Sequence, residues 1–328
     1  MRSYWMQMTD ASTELELRDV PVPDPGPREM LVRIHAASLN RGEFLVGHGT
    51  HGKPGTWKAI GNEGAGEVVA IGADVNEFRP GDRVMGRCAG AFAEYALMES
   101  MEAMRVPSGL SWEEASAIPL TYLVAFDMLV LQGRLKSNEW LLINGVSSGV
   151  GVASLQLAKV LGARVIGTSG SADKLAALRP FGLDVALCTR LPDFAPAVME
   201  STVQHGADLI VNTVGGSIFA ECLRALAFEG RLATVGFVDG AGHADIDLSA
   251  LHSKRLTVFG VSNKLRTKEQ RAAAVPRFAA EILPHFTSGR IRPHLDRVMD
   301  FADLAQAKAR MESGAHIGKI VLRVPVPQ

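Results

Sequence analysis

The sequence predicts an α/β protein in which a β-rich domain is combined with a domain built on a doubly wound parallel sheet. Three observations predict this fold class. The 328 residues suffice for about two domains. The first third contains short alternating segments separated by turn signals, and residues 138–182 run in the order strand, glycine-bearing turn, helix, strand. We expect residues 1–118 and 267–328 to form the β-rich domain and residues 119–266 to form the inserted α/β domain.

The β-rich part is defined by short strands and punctuating turns. We expect strands at 31–37, 64–71, 82–85 and 91–97. Pro80-Gly81-Asp82 is a turn signal between two of them. Ser111 and Glu114 form a capping-box pattern, and Pro119 begins a helix that is expected to run to about residue 131.

The segment 138–182 has the pattern of a dinucleotide-binding βαβ unit. Residues 140–143 are an apolar run bounded by polar residues, as in a strand that is buried on both faces. Gly149 and Gly151 lack a Cβ, so backbone amides can approach a pyrophosphate closely at the start of a helix. Val146 and Ser148 replace the first two glycines of G-x-G-x-x-G. The alternative is a tight turn in an α/β protein that binds no ligand.

The end of the second strand of this unit favours NADPH over NADH. An acidic side chain there normally accepts hydrogen bonds from the ribose hydroxyls, but the first carboxylate is Asp173, which is expected to cap the next helix. Ser169 can donate to a 2′-phosphate, and Lys174 and Arg190 are candidate cations at successive strand ends. The alternative for each cation is a solvated surface charge.

Beyond this unit the alternation of strands and helices continues. We expect a helix at 217–228 and a long amphipathic helix at 272–286. The further strands are expected at 209–212, 232–236, 256–261 and 318–322.

Composition excludes several classes of function. A formal net charge of −1 provides no field that would attract nucleic acid or an anionic membrane. No apolar run approaches the length of a transmembrane helix, and the first residues lack a signal-peptide core. Three widely spaced cysteines without a Cys-x-x-Cys pattern argue against a disulfide framework. We therefore expect a cytoplasmic protein.

Four segments carry a resemblance to a known family. They are SLNRGE at 38–43, GNEGAGEVV at 61–69, PGDRV at 80–84 and AIPLTYL at 117–123. In this order they resemble the medium-chain dehydrogenase/reductase superfamily, in particular its zinc-independent quinone oxidoreductase (zeta-crystallin-like) branch. The resemblance implies a GroES-like catalytic domain, a Rossmann-type NADPH-binding domain, and hydride transfer to a quinone or an α,β-unsaturated carbonyl compound.

The same segments argue against a bound metal. Zinc-dependent relatives carry histidine in a G-H-E triplet, where this chain has Asn62, and an asparagine amide is a poor zinc ligand. Cys88 stands alone, so no structural zinc cluster is expected. His48 and His51 resemble a ligand pair but lie in a glycine-rich loop without a cysteine or a supporting histidine. We expect no metal.

The expected absence of zinc narrows the class of compound that can accept the hydride. Alcohol oxidation needs a group that stabilises an alkoxide, and zinc normally provides it. Quinones and conjugated carbonyls instead need a positioned hydride and fixed hydrogen-bond donors. Two alternatives stay open: an NADPH-binding protein with little catalysis, acting as a redox sensor or ligand binder, and an enoyl-thioester reductase.

Three side chains are candidate catalytic groups. Asn40 is a candidate pocket-facing donor, with a turn residue as the alternative. Glu43 either orients Asn40 or relays a proton, unless it is an exposed residue at a helix start. Tyr122 is a candidate phenol donor, with core packing as the alternative. A further alternative gives His48 and His51 a role as proton sources at the entrance.

The remaining candidate residues follow parallel strands, where open sheets bind ligands. We expect the pyrophosphate to meet Ser147, Ser148, Gly149 and Val150. The resemblance implies that the nicotinamide half is lined by Thr213, Val214, Gly215, Phe237, Ser262 and Asn263. It also implies a homodimer that pairs the edge strand 255–261 across a two-fold axis.

Overall fold

A computed structural model describes residues 1–8, 13–44 and 55–325. The chain forms two compact units, Met1–Leu123 with Asn263–Gln328 and the contiguous segment Val124–Ser262. These boundaries differ by a few residues from the expected 118/119 and 266/267. The difference at the first boundary arises because the helix that begins at Pro119 starts in the first unit, where the Leu120 N–H donates to the carboxylate of Glu63 at 2.7 Å.

The secondary structure alternates in the order that the sequence predicts for an α/β fold. The strands are β1 (Arg2–Met8), β2 (Thr13–Asp19), β3 (Glu29–Ser38), β4 (Lys58–Ala59), β5 (Glu63–Ile71), β6 (Arg83–Ala89), β7 (Tyr95–Arg105), β8 (Trp140–Asn144), β9 (Arg164–Ser169), β10 (Val185–Cys188), β11 (Ala207–Asn212), β12 (Leu226–Thr234), β13 (Thr257–Gly260), β14 (Leu295–Asp300) and β15 (Lys319–Arg323). The α-helices are α1 (Trp112–Ser116), α2 (Pro119–Phe126), α3 (Gly149–Val160), α4 (Ala172–Leu178), α5 (Ala195–Ser201), α6 (Phe219–Ala225), α7 (Leu248–Ser253), α8 (Lys268–Ala272), α9 (Val275–Glu281), α10 (Leu283–Thr287) and α11 (Leu304–Glu312).

The first unit is built on two sheets. One has the order β2-β1-β4, and the other has the order β14-β15-β3-β5-β6-β7. Strand β7 also pairs with β3, so β3, β5, β6 and β7 close on themselves. Their inward residues Met30, Ile34, Val84 and Met98 are buried, which confirms the alternating pattern predicted for this half of the chain.

The second unit is a six-stranded sheet with every neighbouring pair parallel, in the order β10-β9-β8-β11-β12-β13. This order is that of a doubly wound dinucleotide-binding fold, whose direction reverses between β8 and β11. Leu141, Leu142 and Ile143 of β8 are fully buried, as the apolar run predicts. The predicted Rossmann-type sheet is confirmed.

Two predicted helices are wrong in extent. The helix expected at 217–228 ends at Ala225, because Leu226 is extended and pairs with Ala207 in the sheet. The helix expected at 272–286 is divided into α9 and α10. Pro284 lacks the N–H that a continuous helix would need, and Ile282 between the two helices departs from helical geometry at φ −110°.

The capping box predicted at Ser111 is present. Its Oγ accepts from the Glu114 N–H at 3.2 Å, and the Glu114 carboxylate accepts from the Ser111 N–H at 3.0 Å. Within the described ranges, no helix is long and apolar enough to cross a membrane.

Candidate functional site

The turn between β8 and α3 is built by close backbone packing. Gly145 has φ +75°, and a Cβ at that position would overlap Thr213 Oγ1. A Cβ on Gly151 would lie 2.5 Å from the Gly145 carbonyl oxygen. Glycine at 145 and 151 is therefore required for the chain to leave the strand and enter the helix this tightly.

The start of α3 presents backbone N–H groups beyond the strand end. Ser148 is the N-cap, and its Oγ accepts from the Gly151 N–H at 3.0 Å. Gly149 and Val150 stand in the first turn, where no earlier helical carbonyl is available to their N–H groups. The dipole of this 12-residue helix adds positive potential at the same end. The turn that contains Ser147 can therefore receive an anion.

Two buried asparagines, which the sequence analysis missed, hold the neighbouring loops in place. Asn144, at the end of β8, accepts from Thr168 Oγ1 at 3.0 Å through its side chain and from Thr213 Oγ1 at 2.7 Å through its carbonyl oxygen. Its side chain is fully buried. It thereby joins the ends of β8, β9 and β11.

Asn212 does the same for the loop after β11. Its Oδ1 accepts from the N–H groups of Val214 at 2.9 Å and Gly215 at 3.0 Å, and its Nδ2 donates to the Gly215 carbonyl at 2.9 Å. The signal was present in the sequence, because each asparagine ends an otherwise apolar strand. The structure thus brings Thr213, Val214 and Gly215 to the same sheet edge as the start of α3.

The end of β9 carries the predicted hydroxyl groups. Ser169 is buried and its Oγ accepts from the Ser171 N–H at 3.3 Å. Ser171 caps α4 by accepting from the Lys174 N–H at 3.4 Å. The expectation that Asp173 caps this helix is wrong, since Ser171 is better placed to meet the first free N–H groups and Asp173 lies in the first turn.

A cationic side chain lies across this strand end. The side chain of Arg190 passes over Gly170 so closely that a Cβ there would overlap the guanidinium Nε. Arg190 itself is exposed and follows β10, the neighbour of β9 in the sheet. Glycine at 170 therefore permits the positive charge to approach the end of β9.

The remaining candidate residues for the nicotinamide half follow strands β12 and β13. Phe237 follows β12 and is 42% exposed. Ser262 is the last residue of the second unit, whereas Asn263 is the first residue of the returning segment of the first unit. Asn263 Oδ1 accepts from Arg266 Nη1 at 3.4 Å.

In the first unit, a buried polar cluster surrounds Glu63, which begins β5. One oxygen, Glu63 Oε1, accepts from Ser38 Oγ at 2.6 Å, from Asn40 Nδ2 at 2.9 Å and from Lys319 Nζ at 2.9 Å. The other oxygen accepts the Leu120 N–H. Glu63 is fully buried and Lys319 nearly so. We call Ser38, Asn40, Glu43, Glu63 and Lys319 the Glu63 cluster.

Asn40 is held entirely inside this cluster. Its Nδ2 donates to both Glu63 and Glu43, the latter at 3.1 Å, and its Oδ1 accepts from Lys319 Nζ at 2.7 Å. Both amide hydrogens of Asn40 are thus donated within the cluster, whereas the sequence predicted a donor that faces a pocket. Asn40 begins the 3₁₀ turn Arg41–Glu43, as the turn alternative predicts.

Glu43 is buried, so the alternative of an exposed residue at a helix start is wrong. Its carboxylate accepts from the side chain of Asn40 and from the Asn40 backbone N–H at 3.3 Å, and it therefore orients Asn40. Burial raises the pKa of Glu43 to about 7, against the opposing effects of the Asn40 hydrogen bond and the Lys319 charge. This carboxyl group exchanges its proton near neutral pH.

Tyr122 packs in the core. Its side chain is 2% exposed, and its ring meets Phe286 edge-on with 5.0 Å between centroids. Burial raises the pKa of its phenol well above the usual range. The geometry agrees with the packing role rather than with a proton donor.

The donors around Glu63 do not fit zinc. The ammonium of Lys319 occupies the cation position and donates to Leu39 O, Asn40 Oδ1 and Glu63 Oε1. Burial holds the pKa of the Cys88 thiol far above its usual value, which disfavours the thiolate that zinc needs. Across the ranges that the structure describes, no three His, Cys, Asp or Glu side chains are grouped to hold a metal ion. His48 and His51 lie outside those ranges.

Comparisons with known proteins identify the family. The family model described as "Alcohol dehydrogenase GroES-like domain" matches residues 26–108, and "Zinc-binding dehydrogenase" matches residues 149–280. The chain belongs to the medium-chain dehydrogenase/reductase superfamily. Its relatives support the quinone oxidoreductase branch of that superfamily, so the predicted resemblance and fold class are confirmed.

Two relatives differ greatly in length. Human "Quinone oxidoreductase" is 26% identical over 313 residues, covering 94% of this chain and 93% of that protein. A phenolphthiocerol/phthiocerol polyketide synthase protein of Mycobacterium tuberculosis is 31% identical over 312 residues. That match covers 95% of this chain but only 14% of the synthase protein. The chain therefore spans only a small part of the length of that relative.

Solved structures share the whole fold. A mycobacterial protein, Rv1454c, complexed with NADPH, superposes with a TM-score of 0.88 at 26% identity, covering 98% of this chain and all of that one. The Escherichia coli quinone oxidoreductase complexed with NADPH gives a TM-score of 0.86 at 24% identity, again over 98% of this chain, and shows the fold.

Proposed function

We propose that this superfamily member is a zinc-independent, NADPH-dependent oxidoreductase that transfers hydride to a quinone or an α,β-unsaturated carbonyl compound. The observation that carries the proposal is the start of α3, which stands where the strand order reverses and presents N–H groups suited to a pyrophosphate. The likeness to a quinone oxidoreductase and to a structure complexed with NADPH supports it.

The residues of the second unit suit a phosphorylated dinucleotide. We assign the pyrophosphate to Ser147, Ser148, Gly149 and Val150. The 2′-phosphate is assigned to Ser169, Lys174 and Arg190, since the end of β9 carries hydroxyls and a crossing cation rather than a carboxylate. When bound, NADPH supplies the hydride.

We also assign the nicotinamide half to the loops after β11, β12 and β13. Asn212 fixes the first of these loops through Val214 and Gly215. The full set is Thr213, Val214, Gly215, Phe237, Ser262 and Asn263.

The Glu63 cluster supplies a proton-holding group. Reduction of a quinone or a conjugated carbonyl takes up one proton with each hydride. Glu43 exchanges a proton near neutral pH and contacts Asn40, so we assign to it the storage of a proton within the cluster. Asn40 is then a positioning residue. Tyr122 is a candidate catalytic residue from the sequence, but we assign it no role in the reaction because its ring packs in the core.

An enoyl-thioester reductase is the second candidate. The observation that favours it is the 31% identity to a polyketide synthase segment that covers nearly the whole of this chain. An NADPH-binding protein with little catalysis, acting as a redox sensor or ligand binder, is the third.

The decisive experiment is NADPH oxidation, followed by absorbance, with menadione, an enone and crotonyl-N-acetylcysteamine as acceptors. We expect turnover with NADPH to exceed turnover with NADH. Preference for the thioester would favour the second candidate. Calorimetric binding of NADPH without turnover of any acceptor would favour the third. Elemental analysis is expected to find no stoichiometric zinc.

We further propose a cytoplasmic homodimer. Strand β13 lies at the end of the six-stranded sheet, and its Val258 is 38% exposed. An unpaired edge is stabilised by pairing with a second copy.

A further inference from the structure

Arg87 lies on β6 directly beside the Glu63 cluster. In the register of β5 and β6 it stands opposite Glu63. On its other side the pairing of β6 with β7 is irregular, because Gly86 faces Ala103 while Cys88 faces Met98. Arg87 therefore has no regular partner on β7. Irregularities of this kind redirect side chains and are frequent beside active sites.

The guanidinium of Arg87 is half-buried and unpaired. Within the part of the chain that the structure describes, it makes no hydrogen bond and no ion pair. Burial lowers its pKa and the nearby positive charge of Arg271 lowers it further, whereas the charges of Glu102, Glu43 and Glu63 partly oppose this shift. A cation in such a position is destabilised unless an anion compensates for the lost hydration.

The carboxylates near Arg87 are already engaged. Glu102 accepts from Arg271 Nε at 2.8 Å and from Nη2 at 3.3 Å. Glu63 accepts from Lys319, and Glu43 is occupied by Asn40. The protein thus supplies each of these acids with another partner and leaves Arg87 without one.

The other arginines of strands β3, β6 and β7 behave differently. Arg33 pairs with Glu67 at 3.0 Å and Arg105 with Asp82 at 2.9 Å. Arg83 donates to the Leu110 carbonyl. Arg87 differs from these three arginines in that it has no such partner among the described residues.

We propose that Arg87 determines acceptor specificity by binding an oxyanion, a carboxylate or a phosphate, that the acceptor carries away from its reducible bond. A guanidinium forms two parallel hydrogen bonds to either group. The inference rests on the proposed function for the existence of an acceptor, and it narrows the acceptor class to anionic quinones, enones or thioesters.

The test is calorimetric binding of saturated analogues to the full chain in the presence of NADP⁺, which needs no turnover. Butyryl-CoA is compared with butyryl-N-acetylcysteamine, which lacks the phosphates, and levulinate with its methyl ester. We expect one anionic probe to bind about 10- to 100-fold more tightly than its neutral counterpart. Tighter binding of butyryl-CoA that is lost in Arg87→Met identifies a phosphate, and tighter binding of levulinate that is lost in the same variant identifies a carboxylate.

Variants of Arg87 test whether its guanidinium causes the preference for the anionic probe. Arg87→Met is expected to abolish the preference for the anionic probe and to leave the neutral probe unchanged. Arg87→Lys keeps the charge and is expected to retain part of the preference; it also serves if Arg87→Met does not fold. Arg105→Met, on the same sheet, is the matched control and should bind like the wild type.

Two results would overturn the inference: equal affinity of the wild type for both members of each pair, or an equal loss of charged and neutral probes in both Arg87 variants. Menadione is neutral, so its reduction by the wild type tests the proposed function separately. Failure with menadione alone leaves the binding result for Arg87 intact.

Discussion

At the scale of single residues, the Glu63 cluster places two buried carboxyl groups beside one ammonium. The carboxylate of Glu63 is paired with the ammonium of Lys319, whereas Glu43 accepts a hydrogen bond from the side-chain amide of Asn40. Charge balance in the cluster is therefore best when Glu43 carries a proton. The pKa of Glu43 is higher in the folded protein than in the unfolded chain. The free energy of unfolding must therefore depend on pH.

Glu43→Gln is expected to remove this dependence. The pKa of Glu43 rises from 4.5 to about 7 on folding, so the folded state binds the additional proton between these values. The wild type should lose stability as pH rises through this window, by on the order of 3 kcal/mol. The variant, which cannot titrate, should lose correspondingly less in urea denaturation from pH 4.5 to 8. Parallel curves for the two proteins would refute this account of Glu43.

Lys319→Met is expected to be strongly destabilising. It leaves the carboxylate of Glu63 buried without its cation, and removal of one partner of a buried pair costs about 3–5 kcal/mol. Combining it with Glu63→Gln should restore part of the loss, because no buried charge then lacks a partner. Urea denaturation at pH 7 measures both. A double variant no more stable than the single one would contradict the role of Lys319.

Lys174→Ala is expected to raise the KM for NADPH by about 10-fold, because the charge-assisted hydrogen bond that we propose between Lys174 and the 2′-phosphate is lost. The KM for NADH should change little, since NADH lacks that phosphate. Steady-state kinetics with each nucleotide provide the measurement. An equal change in both values would remove Lys174 from the phosphate site.

At the scale of elements, local patterns were enough for most strands and for the helix that begins at residue 149. The apolar run of β8 and the glycines after it predicted the turn correctly. The helix predicted at 272–286 failed because its apolar spacing continues through Pro284, which a periodic pattern does not register. Leu226 likewise suits a helix locally, but sheet pairing determines its conformation.

The edge strand β13 is the element that carries the dimer proposal. Val258→Lys should convert a homodimer to a monomer, because a charged side chain on an edge strand opposes pairing with a second copy. Val298→Lys, on edge strand β14 with a similar exposure of 39%, is the control and should stay dimeric. Light scattering at micromolar concentration distinguishes these states. A monomeric wild type would rule out the proposed homodimer.

At the scale of the whole molecule, the order of motifs predicted the family and the insertion of one domain into another. The Glu63 cluster could not be predicted in the same way. Lys319 and Glu63 are separated by 256 residues, and the pairings of β15 with β3 and of β3 with β5 bring them together. Asn40 was chosen correctly as a polar residue of interest, yet its exclusive bonding within the cluster depends on that distant lysine.

The same pairing of β15 with β3 has a consequence for synthesis. All six strands of the second unit lie between Val124 and Ser262, so that unit has its complete sheet while the ribosome is still translating the remainder. The first unit must wait with Glu63 lacking its cation until Lys319 has emerged. We expect nascent chains that stop before residue 319 to hold a folded nucleotide-binding unit and a first unit whose buried Glu63 carboxylate lacks its cation, which would make them clients of chaperones.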